Sequence, residues 1–212
     1  MKKILIVDDH AIVREGVARI LQGLPGQTIA FDEASSGQQA LDMAGSSAYD
    51  LVLLDISLPD QNGLNVLRLL HQNNPALPVI VFSTYPDEHY AVRSLRAGAA
   101  GYVNKGSDAS LLKEAIAKVL AGKRHVTPLQ ADLLVDAISE DADNLPVHQK
   151  LSDREYQMVC MMTAGKTLSE IARELNISVK TVSTYRARVL EKLHLRTTAD
   201  IINYGIRQGL TL

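Results

Sequence analysis

The chain has 212 residues, 46% hydrophobic and 22% charged, with a formal net charge of −2. These values suit one or two globular domains and exclude a wholly disordered or fibrous chain. One cysteine, Cys160, excludes an internal disulfide framework and a Cys-rich zinc site. It sits in an apolar helical stretch and reads as a core residue. No apolar run approaches the ~18–20 residues of a membrane helix. Ile4–Val7 ends at Asp8, short of the ~7–15 apolar residues of a signal peptide. A cytoplasmic protein with no membrane partner is expected. The charge is uneven: −1 over residues 1–124, −4 over 125–150 and +3 over 151–212. A basic end segment beyond an acidic connector points to a polyanion partner for that segment.

Short apolar runs at Ile4–Val7, Thr28–Ala34, Leu51–Asp55, Val79–Ser83 and Gly101–Asn104 read as strands. Leu51–Leu54 and Val79–Phe82 are continuously apolar, as strands covered on both faces are. The segments between have helical spacing: Ile12, Gly16, Val17, Ile20 and Leu21 share one face, and Leu111, Leu112, Ala115, Ile116, Val119 and Leu120 share another. Five βα units over about 120 residues predict a doubly wound, flavodoxin-like parallel sheet with helices on both faces. Thr127-Pro128 reads as an N-cap and first helical residue, opening a short helix over about 128–139. The acidic, Pro146-containing stretch 139–150 reads as the flexible part of a linker spanning 123–150. Residues 151–212 read as an all-α, four-helix domain. Capping boxes at Ser152–Glu155 and Thr167–Glu170 start helices over about 152–164 and 168–176. Ser178 caps a third helix to about Leu193, and Thr198 starts a fourth that ends near Gly209.

Ligands of a parallel sheet bind at the carboxyl ends of its strands. Asp8 and Asp9 follow the first strand, and Asp55 closes the third. Three carboxylates in one cleft repel unless a cation neutralises them, and oxygen ligands favour a hard ion such as Mg²⁺. His10 suits such an ion poorly and reads as a helix-start residue. Ser83 and Lys105 stand at the fourth and fifth strand ends. A carboxylate, a hydroxyl and an ammonium around a metal equip a site for phosphoryl transfer, with Asp55 as nucleophile.

Ile-Leu-Ile-Val-Asp8-Asp9-His10, Leu-Val-Leu-Leu-Asp55 with Pro59 and Gly63, Val-Phe-Ser83 and Gly101-Tyr102-Val-Asn-Lys105 resemble the receiver domain of two-component response regulators over residues 1–122. The resemblance implies that Asp55 is the phosphoacceptor. It implies that Asp9, Asp55 and the Ser57 carbonyl ligate Mg²⁺, with Asp8 acting through water. It makes Ser83 and Tyr102 the switch pair and places Lys105 on the phosphoryl group. Gly106 departs from the pattern, because many receivers carry proline after the lysine. A cis Lys105-Gly106 bond, at a cost of ~2.5–4 kcal/mol, is not expected.

In the C-terminal segment, Thr167–Asn176, a tight turn at 177–179 and Lys180–Leu193 form a helix, turn and helix. Val182, Tyr185, Val189 and Leu193 fall on the face expected to pack inward. Lys180, Thr184, Ala187 and Glu191 fall opposite, flanked by Ser183 and Arg188. Such a face suits a DNA major groove, with Arg186 and Arg188 on phosphates and Ser183 and Thr184 on base edges. Spacing alone leaves a helical oligomerisation or protein-binding module equally open. Leu151-Ser-Asp-Arg-Glu155, Gly165–Ala172, Leu175–Val182 and Leu190–Leu193 resemble the LuxR-type helix-turn-helix over residues 151–212. Together the two resemblances point to the NarL/FixJ family of response regulators. They place Ser183, Thr184 and Ala187 in the groove and make Lys180, Thr181, Arg186 and Arg188 further DNA contacts. Many members carry Lys at the position of Ser183 and His at that of Tyr185, so the target sequence does not transfer.

The resemblance implies a transcription regulator rather than an enzyme. A cognate sensor histidine kinase phosphorylates Asp55, and a homodimer then binds paired half-sites in promoter double-stranded DNA and contacts RNA polymerase. Three other readings stand beside it: phosphorylation-independent DNA binding, a protein-binding scaffold built on the C-terminal helices, and a Mg²⁺-dependent phosphatase. The last lacks a general acid, because Ser57 stands where an Asp would serve.

Overall fold

A computed structural model describes residues 1–24, 28–139 and 147–210. The acidic stretch 140–146, expected to be flexible, and the last two positions of the expected 151–212 domain lie outside the described residues. The chain divides into two compact units, 1–135 and 136–212.

In the first unit, β1 (Lys2–Val7), β2 (Ile29–Ala34), β3 (Leu51–Leu54), β4 (Val79–Ser83) and β5 (Gly101–Asn104) form one parallel sheet in the order β2-β1-β3-β4-β5. Its helices are α1 (Ala11–Gln22), α2 (Gly37–Ser46), α3 (Gly63–Asn73), α4 (Asp87–Arg96) and α5 (Ala109–Leu120). Strand side chains alternate in direction, so each strand feeds two cores. On one face Ile4, Ile6, Leu51, Leu53, Ile80 and Val103 pack with Val17 and Leu21 of α1 and with Leu112, Ile116 and Val119 of α5. Leu5, Val7, Val52, Leu54 and Val81 point the other way and are equally buried. Each such aliphatic side chain contributes roughly 1.5–3 kcal/mol by leaving water. The order reverses direction between β1 and β3, which places a crevice at their carboxyl ends.

The compact unit runs past 122, where the receiver-like motifs end, to Val135. The physical reason is hydrogen bonding along β5. The His125 N–H donates to the Ala100 carbonyl at 2.8 Å, and His125 forms a parallel bridge to Gly101. Helix α6 (Pro128–Ser139) follows. Its start is tied reciprocally: Gln130 N–H donates to Thr127 Oγ1 at 3.3 Å, and Thr127 N–H donates to Gln130 Oε1 at 3.1 Å. Proline at the first helical position loses no bond there.

The second unit contains a 3-10 turn at Val147–Lys150, then α7 (Asp153–Thr163), α8 (Leu168–Glu174), α9 (Val179–Lys192) and α10 (Thr198–Arg207). Ser152, Thr167 and Thr197 each begin a capping box. Helix α8 stops two residues before the expected end. Asn176 takes a φ of 51°, and its neighbour Ile177 donates to the Ala172 carbonyl at 2.9 Å. This left-handed C-terminal closure needs a residue that tolerates positive φ, which asparagine does. Ser178 then caps α9 at Thr181 N–H, completing the turn between the two helices. Helix α7 is buried almost throughout and packs against α10, where a Cβ on Gly205 would overlap Thr163 Oγ1.

Candidate functional site

The crevice at the strand ends collects the acidic residues. Asp8 and Asp55 are 2% and 3% exposed, so their charges are almost fully removed from water. One ammonium serves both: Lys105 Nζ lies 2.6 Å from Asp8 Oδ2 and 3.1 Å from Asp55 Oδ2. The remaining oxygens take backbone amides. Asp55 Oδ1 accepts from Ile56 N–H at 2.8 Å, and Asp8 Oδ1 accepts from His10 N–H at 2.9 Å. Burial pushes the Asp55 carboxyl above the usual range; Lys105 opposes that, and Asp8 adds to it by repulsion. Burial alone would lower Lys105, but the two carboxylates outweigh it and hold the ammonium charged.

The loop after β3 is set by a close approach. Gly63 N–H donates to the Ile56 carbonyl at 2.8 Å, and a Cβ on Gly63 would overlap the Asp55 carbonyl oxygen and sit 2.7 Å from Ile56 Cα. Only glycine fits there. Beyond Pro59, Asp60 turns away from the crevice and accepts from Gly37 and Gln38 N–H at 2.9 and 2.8 Å, tying the loop to the start of α2.

Asp9 borders the crevice and remains partly exposed. Ligand atoms of Asp8, Asp9 and His10 lie within 4.8 Å of one another. His10 begins α1 without capping it through its side chain; its ring stands 2.8 Å from Asp9 Oδ1. That contact is a hydrogen bond only when the facing ring nitrogen carries a proton. Otherwise the buried Asp9 Oδ1 accepts no hydrogen bond. The fully buried Ser83 hydroxyl likewise has no well-formed hydrogen bond. A carboxylate-rich pocket with two buried oxygens short of partners fits a hard divalent cation beside a phosphoryl group.

Ser57 and the aromatic residues line the rim. Ser57 Oγ donates to the Tyr85 hydroxyl at 3.2 Å, and the Tyr85 ring stacks on Tyr90 at 4.5 Å. Tyr102 is fully buried, and its hydroxyl donates to the Tyr85 carbonyl at 2.5 Å. Burial, followed by the fields of Asp87 and Asp55, pushes its phenol far above the usual range. Two further residues, Asn104 and Gln130, lie at the rim, and a third, His125, stands beside the first residue of β5. Asn104 bridges the loops after β4 and β5. Gln130 of α6 donates from Nε2 to Asp87 Oδ2 at 2.8 Å and to the Tyr102 carbonyl at 3.0 Å. His125 is buried with neither ring nitrogen paired. Only the polar character of Asn104 and Gln130 beside apolar neighbours could have drawn notice to them.

Helix α9 buries Val182 and Val189, with Leu193 buried at its C-cap. It exposes Lys180, Thr184, Ala187, Arg188 and Glu191, while Thr181, Ser183, Tyr185 and Arg186 are half-buried. The Thr181 hydroxyl pairs with Ser178 Oγ at 2.8 Å, and Thr184 Oγ1 donates to the Lys180 carbonyl at 3.0 Å. The Arg188 guanidinium rests 5.9 Å from the Tyr185 ring centroid, and Arg186 Nε is enclosed.

Residues 4–117 match the response regulator receiver domain, and residues 149–204 match the luxR family of bacterial regulatory proteins. The chain is a response regulator of the NarL/FixJ family. It is 33% identical over 211 residues to Response regulator UvrY of Escherichia coli (strain K12), covering 99% of this chain and 96% of that relative. It is also 33% identical to Response regulator GacA of Pseudomonas syringae pv. syringae (strain B728a), covering 99% of this chain and 98% of the relative. RcsB from Salmonella enterica serovar Typhimurium, solved bound to promoter rprA with the phosphomimetic BeF3−, superposes with a TM-score of 0.62 at 22% identity. That alignment covers 96% of this chain and 98% of RcsB and shows the shared fold. As a response regulator, the chain pairs a receiver domain with a LuxR-type DNA-binding domain. Among the described residues, no helix is long and apolar enough to cross a membrane.

Proposed function

We propose that this response regulator is a phosphorylation-controlled transcription regulator in which Asp55 accepts the phosphoryl group of a cognate sensor histidine kinase. The observation that carries this reading is the buried Asp8–Lys105–Asp55 constellation, two carboxylates on one ammonium at the carboxyl ends of neighbouring strands. A carboxylate oxygen of Asp55 forms the bond to phosphorus while the bond to the donor's imidazole nitrogen breaks. Asp9, Asp55 and the Ser57 carbonyl would hold Mg²⁺ directly, with Asp8 acting through water; bound there, the ion would neutralise charge on the phosphoryl oxygens. Lys105 and the Ser83 hydroxyl bind that group, Ser83 gaining the well-formed hydrogen bond it lacks. Ser57 donates to Tyr85 and provides no general acid, which favours a phosphoacceptor over a phosphatase that turns over.

Movement of Ser83 and Tyr102 then shifts an existing equilibrium toward a homodimer. Residues 1–122 carry the phosphoacceptor chemistry, 123–150 connect, and 151–212 bind DNA. Pairing two readers raises affinity for paired half-sites through effective concentration. On α9, Ser183, Thr184 and Ala187 face bases, and Lys180, Thr181, Arg186 and Arg188 hold phosphates. The exposed α9 surface and the promoter complex of RcsB support double-stranded promoter DNA as partner. RNA polymerase is the further partner at the promoter, and the setting is the cytoplasm. Selection of binding sites from a random duplex pool, with and without a small phosphodonor and Mg²⁺, tests the whole scheme. Paired half-sites should enrich mainly with the donor, and Asp55→Asn should abolish the difference. Equal enrichment in both arms overturns phosphate control; no enrichment in either overturns the DNA-binding role.

A further inference from the structure

Lys105 must hold its ammonium between two buried carboxylates, yet the chain beside it is soft. Gly106 follows, and glycine leaves the backbone unrestrained. The residue before it supplies the missing constraint. Asn104 Oδ1 accepts from Gly106 N–H at 2.7 Å, its own carbonyl accepts from Ser107 N–H at 3.0 Å, and its Nδ2 donates to the Tyr85 carbonyl at 2.7 Å. The first two bonds close the turn that carries Lys105. The third bolts that turn to the loop after β4. The Tyr85 carbonyl also accepts the Tyr102 hydroxyl at 2.5 Å, so one oxygen joins Asn104 and Tyr102. Lys105 N–H on the Ser83 carbonyl at 2.7 Å completes the frame.

We propose that Asn104 is a positioning residue for phosphoryl transfer, holding the Lys105 ammonium on the acidic pocket through the turn and the Tyr85 carbonyl. This role rests on Asp55 being the phosphoacceptor. Asn104 touches neither the carboxylates nor the incoming group; it acts through Lys105. Displacement of a charge-stabilising group by about 1 Å costs up to about a hundredfold in rate, and loss of one tether releases part of that.

The test is the rate at which the full chain gains a phosphoryl group on Asp55 from phosphoramidate with Mg²⁺, followed by intact mass. Asn104→Ala should lower the rate at saturating donor and Mg²⁺ about tenfold. The Mg²⁺ concentration giving half the maximal rate should stay where it is, and the thermal midpoint should fall by only a few degrees, for the two side-chain hydrogen bonds lost. Asn104→Ser, whose hydroxyl can accept from Gly106 N–H but is too short to reach Tyr85, should fall between the two and guards against a folding defect in the alanine variant. In a Lys105→Ala background, Asn104→Ala should add nothing, because the group it positions is gone. A rate for Asn104→Ala within about twofold of the parent overturns the role. So does an equal loss with and without Lys105. A parent protein that takes no phosphoryl group overturns the phosphoacceptor reading itself, and the role of Asn104 with it.

Discussion

The two units treat buried charge in opposite ways. The first buries Asp8, Asp55 and Lys105 together, two negative charges on one positive, and leaves the Ser83 hydroxyl and both His125 ring nitrogens without good partners. Among the described residues, the second pairs Glu155 with Ser152 and Lys192, Gln157 with Arg154, and Thr163 with the Val159 carbonyl, and leaves only the enclosed Arg186 Nε without a partner. Unpaired buried polar groups cost about 1–3 kcal/mol each. A unit that carries them holds free energy that binding of a new charged group can release. A unit with paired groups keeps its shape while it presents α9. The contrast is that of a responsive element and a rigid one.

The sharpest way to break this contrast is through the glycine under Asp55. Gly63→Ala drives a Cβ into backbone, which cannot swing aside, and should destabilise the first unit by about 3 kcal/mol. Denaturant unfolding should show the first transition shifted and the second in place. Next in size, Arg188→Ala should weaken DNA binding about tenfold and reduce the slope of log affinity against log salt by about one, with no change in unfolding. Titration of a duplex site at several salt concentrations measures both.

Smaller is Glu155→Gln, which keeps an acceptor for Ser152 N–H but loses the ion pair to Lys192. It should cost the second unit about 1 kcal/mol at neutral pH. Burial alone would raise the Glu155 carboxyl; the Lys192 and Ser152 bonds overcome that and hold it below the usual value of 4.5. Its contribution is therefore complete above pH 4.5 and lost as pH falls through the lower folded-state value, so variant and parent should converge in acid.

The smallest effect concerns His125, whose pKa burial, aided by Lys118, lowers below 6.5. The unfolded chain takes up that proton first, so stability of the first unit is whole above pH 6.5 and declines below it. His125→Leu should flatten the drop in thermal midpoint between about pH 7 and 5. An unchanged slope would assign it to other groups.

The fold was legible because parallel strands buried on both faces are written as apolar runs, and because helix caps are local: Ser152, Thr167 and Ser178 announce their helices within three or four residues. The acidic crevice was legible because strand-end positions converge in any sheet of this kind. Asp8 and Lys105 meet across 97 residues of chain, yet each is marked by the strand it follows. What could not be read were contacts whose partner is a carbonyl. Asn104 and Gln130 find Tyr85 and Tyr102 main-chain oxygens, which carry no residue identity. Helix α10 begins at Thr198 as expected, with the preceding Thr197 as its cap.

The hydrogen bonds from residues 125–130 to β5 have one more consequence. β5 ends the sheet, and an open edge of amides and carbonyls is a template on which another chain can add a strand. Here the chain occupies that edge itself: the His125 amide takes the Ala100 carbonyl, and the Gln130 side chain takes the Tyr102 carbonyl. The segment that leads toward the helical unit thus also guards the sheet against self-association, so trimming the protein back to residue 122 would expose a sticky border as well as remove a connector.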